Sequence, residues 1–116
     1  MFPADLIVTT GNDLPGHSII RMMGVARGII VRSPTISQGF LGGFKQLVGG
    51  NIDSYSEMCE QARKEAYEKM VAHARSLGGN AVLAMRYESS SVGGGQSAAT
   101  EVLCYGTAVV CQPNPR

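Results

Sequence analysis

Five side chains in this sequence could ligate a soft metal: Cys59, Cys104, Cys111, His17 and His73. Such a site needs three or four thiolates and imidazoles to converge on one point. The spacing gives little help. There is no Cys-x-x-Cys pair, and neither histidine sits beside another thiol or imidazole. Cys59 falls in an apolar stripe of helical period, where a buried core thiol is the plain expectation. Cys104 and Cys111 are seven positions apart on one strand and face opposite ways unless Gly106 introduces a bulge. Around a symmetry axis, however, one cysteine per subunit becomes a ring of thiols, and on that basis Cys104 and Cys111 are the metal-ligand candidates. His73 lies where a helix dipole favours a cation, and His17 follows a turn.

A second group is ionic. Arg86, Glu88 and Glu101 are charges on otherwise apolar strands, and a charge removed from water demands a partner. Their simplest role is an ion pair within the sheet or between subunits. Arg86 and Glu101 are also the ligand-binding candidates, as a polar patch that takes a small anion or metal in an oligomer cleft. On a strand of regular alternation Arg21 and Arg27 share a face and line the same cavity. Nucleophilic chemistry is poorly served. There is no Gly-x-Ser-x-Gly elbow, and the serines at 89–91 and 97 sit where a hairpin loop is expected. LGGFKQLVGGN (41–51) looks like a phosphate loop but lacks the Gly-Lys-Ser/Thr order. The glycine pair 49–50 is better explained as a joint between helices.

The elements that must hold these residues follow the order β–β–α–α–β–β in one domain, 1–112. A first strand over 6–10 is closed by the turn residues GNDLPG (11–16). The run from His17 to Arg32 predicts a long strand that bends or bulges at a glycine, Gly24 or Gly28. Phe40, Leu41, Phe44, Leu47 and Val48 fall on one face of a short helix. A long helix starts near Ser54, with Glu57 completing a capping box, and ends at Gly78-Gly79. Its stripe is Tyr55, Met58, Cys59, Ala62, Ala66, Met70, Ala74 and Leu77, and its outer face carries the pairs Glu60/Lys64 and Glu65/Lys69. Strands over 80–89 and 99–112 follow. A two-residue turn at Gly93-Gly94 sets Arg86 opposite Glu101. The last four residues, 113–116, read as a disordered tail.

Composition bounds the function. The 116 residues are 44% hydrophobic and 16% charged, with net charge +1 and no Trp. That balance excludes disorder and offers no basic footprint for nucleic acid or for a membrane surface. No stretch approaches the ~18 apolar residues that span a bilayer, and the N-terminus lacks the features of a signal peptide. Three cysteines, an odd number, suit a reducing compartment, and the expected location is cytoplasmic. Both faces of the long strands are largely apolar, yet the helices suffice to cover one. Exposed apolar faces of that extent mark an interface, so a homo-oligomer is expected.

LVGGN (47–51), Tyr55, Ala62-Arg63, Ala66, Met70, Ala74, LGGNAV (77–82), MRYESSS (85–91), Glu101 and YGTAVV (105–110) occur in a characteristic order. Together with GVARG (24–28) they make the chain resemble the YbjQ family of small proteins, catalogued as heavy-metal-binding, from about Ile7 to Val110. The resemblance implies an α+β, two-layer β-α-β-β subunit of dodecin-like kind, with an extra N-terminal strand and a short helix before the long one. It also implies self-assembly into a ring, commonly a pentamer, and a metal ion as the implied cofactor. The shared motif is mainly glycine, alanine and apolar residues, which build folds and interfaces. The expected function is therefore a non-enzymatic oligomeric binding protein. An enzyme or regulatory subunit with its active site between protomers is the alternative.

Overall fold

A computed structural model describes residues 6–32, 52–92 and 99–115 of the chain. The predicted short helix, the glycine pairs at 42–43 and 49–50 and the turn at Gly93-Gly94 lie outside the described residues. So do the side chains of Ser54 and Tyr55. The architecture is α+β: among the described residues one helix, α1 (Ile52–Ser76), lies on a mixed sheet of four strands. These are β1 (Ile7–Val8), β2 (His17–Arg32), β3 (Ala81–Val92) and β4 (Ala99–Pro113), in the order β1-β3-β4-β2. β1 runs parallel to β3, and β4 is antiparallel to both β3 and β2.

The chain enters β2 through a tight turn in which the His17 amide donates to the Leu14 carbonyl at 3.0 Å. Pro15 presets the first corner, and Gly16 takes the second with φ +79°, a conformation that suits glycine. β2 has the bounds the sequence predicts. Its register slips between Ile19 and Arg21 and again between Met22 and Gly24, where Gly24 has φ +123°. Gly28, the other candidate for a bulge, serves differently. A Cβ there would lie 2.3 Å from the Ala66 carbonyl oxygen and 2.5 Å from the Met70 amide nitrogen. The helix crosses β2 in backbone contact at that point, and only glycine leaves the room.

Ala62, Ala66, Met70 and Ala74 are the buried stripe of α1, as its period predicts, and they pack on Ala26, Ile30, Val82, Val102, Cys104 and Ala108. The helix ends in a Schellman arrangement: the Gly79 amide donates to Ala74 O (3.0 Å) and the Gly78 amide to Arg75 O (2.9 Å), with Gly78 at φ +90°. Asn80 then extends the ladder with its side chain, accepting from the Cys111 amide (2.8 Å) and donating to the Cys111 carbonyl (3.0 Å). On the outer face of α1, Glu65 hydrogen-bonds Arg32 of β2 and Gln61 rather than Lys69.

Two expectations need correction. β3 runs to Val92, so the serines at 89–91 belong to a strand and not to a loop. β4 runs through Pro113, and the Asn114 amide donates to Gly16 O at 2.9 Å, so residues 113 and 114 are held in place rather than forming the start of a loose tail. The second, smaller core lies on the opposite face of the sheet, where Leu14 covers Ala81, Leu83, Val109 and Cys111.

Gly28→Ala is expected to lower stability by about 3 kcal/mol, because backbone atoms of α1 would have to move. Gly11→Ala, whose Cβ would meet nothing closer than Thr9 Oγ1 at 3.4 Å, is expected to cost less than about 1 kcal/mol. Urea titration of both variants checks the difference.

Candidate functional site

The thiols separate. Cys104 is fully buried beneath α1, whereas Cys111 is buried beneath Leu14 on the other face of the sheet. β4 keeps its alternation through Gly106, so the two sulfurs point into different layers. Loss of solvent raises the Cys104 thiol to about 11, which disfavours the thiolate that a soft metal takes. Cys59 is half-buried rather than in the core. The histidines are engaged singly. His73 Nδ1 accepts the Arg27 amide of β2 at 3.0 Å, which occupies a donor at the edge of the sheet. His17 Nδ1 meets the Pro15 carbonyl at 3.1 Å. Among the described residues no three His, Cys, Asp or Glu side chains gather where they could hold a metal ion. The described thiols and imidazoles of one chain therefore do not converge as a heavy-metal site would require.

Arg86 and Glu101 do not pair either. A bulge in β3 between Leu83 and Arg86, with Ala84 at φ +57°, puts Arg86 opposite Tyr105 and Ser90 opposite Glu101. The two charges are thus four residues apart along the ladder, about 13 Å. Arg86 donates to the Thr10 carbonyl (3.0 Å) and to its neighbour's carbonyl, Met85 O (2.8 Å). Glu101 accepts from Ser90 Oγ at 3.2 Å. Arg21 and Arg27 are also parted. They lie opposite Val110 and Tyr105, residues of opposite parity on β4, so the slip at Gly24 sends them to opposite faces.

What the registers do assemble is a polar row on the face that α1 leaves bare. Arg27, Tyr105 and Arg86 lie side by side across β2, β4 and β3. The Tyr105 hydroxyl donates to Glu88 Oε2 at 3.1 Å, and that bond with the adjacent carboxylate raises the phenol's pKa. Around the row lies apolar surface. Met22, Val25, Ile29 and Val31 of β2 are exposed, Met22 at 67% and Val25 at 56%. Tyr105 and its place between two arginines were missed by sequence reasoning, because the row exists only once both bulges are placed. Under the other face, a cavity of about 310 Å³ opens beside the first half of α1. Arg63, whose guanidinium carbon lies 5.4 Å over the Tyr87 ring centre, stands at its side.

Comparison with known proteins places the fold and the family. Residues 6–112 match the YbjQ family, described as "putative heavy-metal-binding", and the chain belongs to it. A UPF0145 protein of Legionella pneumophila is 54% identical over 105 residues, covering 90% of this chain and 97% of that one. One from Burkholderia lata is 53% identical over 106 residues, with coverage of 91% and 87%. These names carry no reaction. A crystal structure of a protein of unknown function from Pediococcus pentosaceus, of the DUF74 family, superposes with a TM-score of 0.62 at 21% identity, covering 92% of this chain and 98% of that one. At that identity the likeness is one of fold. Among the described residues, no helix is long and apolar enough to cross a membrane.

The burial of the thiols has a direct readout. In the native protein a thiol reagent is expected to modify Cys59 well before Cys104 or Cys111, which should react only on unfolding. Because the folded protein holds the Cys104 proton up to about 11 against an ordinary value of 9.0, the unfolded chain ionises first as pH rises. This contribution to stability is complete below pH 9.0 and is lost between 9.0 and about 11. Urea midpoints across that window should fall for the native sequence and fall less for Cys104→Ala.

Proposed function

We propose that this chain is a homo-oligomeric binding protein rather than an enzyme, in which copies pack through the helix-free face of the sheet. The observation that carries the proposal is the row of exposed Met22, Val25, Ile29 and Val31 on β2. Among the described residues one helix covers one face of the sheet, and apolar surface of this extent on the other is the mark of an interface. β2 is also an edge strand in the sheet of described residues, and a long apolar edge invites pairing with another chain. A ring of dodecin-like subunits, five to the ring, is the assembly that the family resemblance implies.

A ligand in this reading sits between copies. Association would remove Arg27, Arg86, Glu88, Glu101 and Tyr105 from bulk water together, because they share the face that is covered. Such a row suits a small anion at its arginines or a hard cation at its carboxylates. Cys104 and Cys111, turned inward on either side, are the poorer ligands for a shared ion. The same row supports the second reading, an interfacial active site, since ionisable groups withdrawn from water are the raw material of acid–base chemistry.

Native mass spectrometry with elemental analysis, on protein purified without a tag, tests both parts together. The expected result is a closed multimer of the 12.3 kDa chain that retains a ligand or ion in a fixed ratio to subunits. A monomer at micromolar concentration contradicts the proposal. A multimer free of ligand and metal leaves a structural assembly and removes the binding role.

A further inference from the structure

The helix-facing side of the sheet is apolar along most of its length: Ala26, Ile30, Val82, Val102, Cys104 and Ala108 are all buried under α1. At one end it changes character. Ser91, Thr100 and Arg32 are direct neighbours across β3, β4 and β2, and Ser89 lies one row inward beside Val102. Two hydroxyls and a guanidinium here stand in positions that elsewhere hold core residues. Above them α1 presents Met58, Cys59, Ala62 and Arg63, and between the two layers lies the cavity of about 310 Å³. Its lining combines apolar side chains with serine and threonine hydroxyls from the sheet and an arginine from each layer, a mixture that suits a small amphipathic molecule.

Arg63 is the residue best prepared to meet a ligand. Its guanidinium carbon lies 5.4 Å over the Tyr87 ring centre, a cation–π contact that restrains the side chain at the edge of the cavity without using its N–H donors. Among the described residues no carboxylate forms an ion pair with it. Arg32 is held differently, by Glu65, whose own second oxygen accepts from Gln61 at 2.9 Å. That arrangement makes Arg32 a fixed wall and Arg63 the anchor.

We infer that this cavity binds a small amphipathic anion, with a carboxylate head on Arg63 and the hydroxyls of Ser89, Ser91 and Thr100, and a short hydrocarbon tail against Met58, Ala62 and Val102. The site lies within one chain and is independent of the helix-free face, so it stands or falls separately from self-association.

Octanoate is the probe, with octanol as its uncharged counterpart, titrated into the full-length protein by calorimetry and followed by methyl NMR. Octanoate is expected to bind at least about tenfold more tightly than octanol, the factor that one hydrogen bond to a charge supplies. It should shift the methyl signals of Met58, Ala62 and Val102. Arg63→Gln should remove that preference, and Arg63→Lys should restore part of it. Equal affinity for octanoate and octanol, or no binding of either, overturns the inference. So does a response confined to Met22, Val25 and Ile29 on the opposite face. The methyl shifts are read on the native sequence, so they decide the question even where a variant is unstable.

Discussion

The structure depends on one close contact, where α1 crosses β2 at Gly28. Backbone atoms of Ala66 and Met70 occupy the volume that any side chain at that position would need. The helix contributes alanine at 62, 66 and 74 to the same seam, all buried, and so sits low on the sheet. Shallow side chains on both sides let the two backbones approach closely and keep the layers in van der Waals contact. They also fix where the helix can lie. Pinned above β2 and β4, α1 shields the layer that includes Cys104, while among the described residues Leu14 covers one end of the reverse side. The distribution of buried and exposed apolar surface follows from this placement.

Two irregularities then decide which functional groups meet. Gly24 shifts β2, and Ala84, in the left-handed region, shifts β3. The second shift is held from outside the strand: the Ala84 amide donates to Gly11 O (2.8 Å) and the Met85 amide to Thr9 O (3.0 Å). A one-residue slip exchanges the two faces of a strand. Here it parts Arg21 from Arg27 and turns Arg86 from the side of Cys104 to the side of Tyr105; the distance from Arg86 to Glu101 is set by the pairing of Val92 with Ala99. The bulged strands thus gather the ionisable row on the face that the helix leaves open.

Much of the fold was legible in the residues. The helix stripe through Ala62, Ala66, Met70 and Ala74, the Gly78-Gly79 stop and the full extent of β2 all follow from period and glycine placement. The opposite orientation of Cys104 and Cys111 follows from their odd separation on a regular strand. Cross-strand neighbours were not legible, because register is set by the bulges and by pairing of the last described residues, Val92 with Ala99. No propensity marks Ala84 as the residue that turns left-handed. The serines at 89–91 show the same difficulty, since their composition favours a turn and only the extended pairing of β3 with β4 makes them strand.

The central claim is that the face of β2 opposite α1 is a surface of association. Sedimentation velocity of Val25→Lys/Ile29→Lys beside the native protein tests it most directly. Both positions are exposed in the isolated chain, at 56% and 42%, so lysine there can reach water and leaves the fold intact. The account predicts that the native chain sediments as a multimer and the double variant as a folded 12.3 kDa monomer with an unchanged circular dichroism spectrum. A variant that keeps the native multimer, or a native chain that is already monomeric, would contradict it.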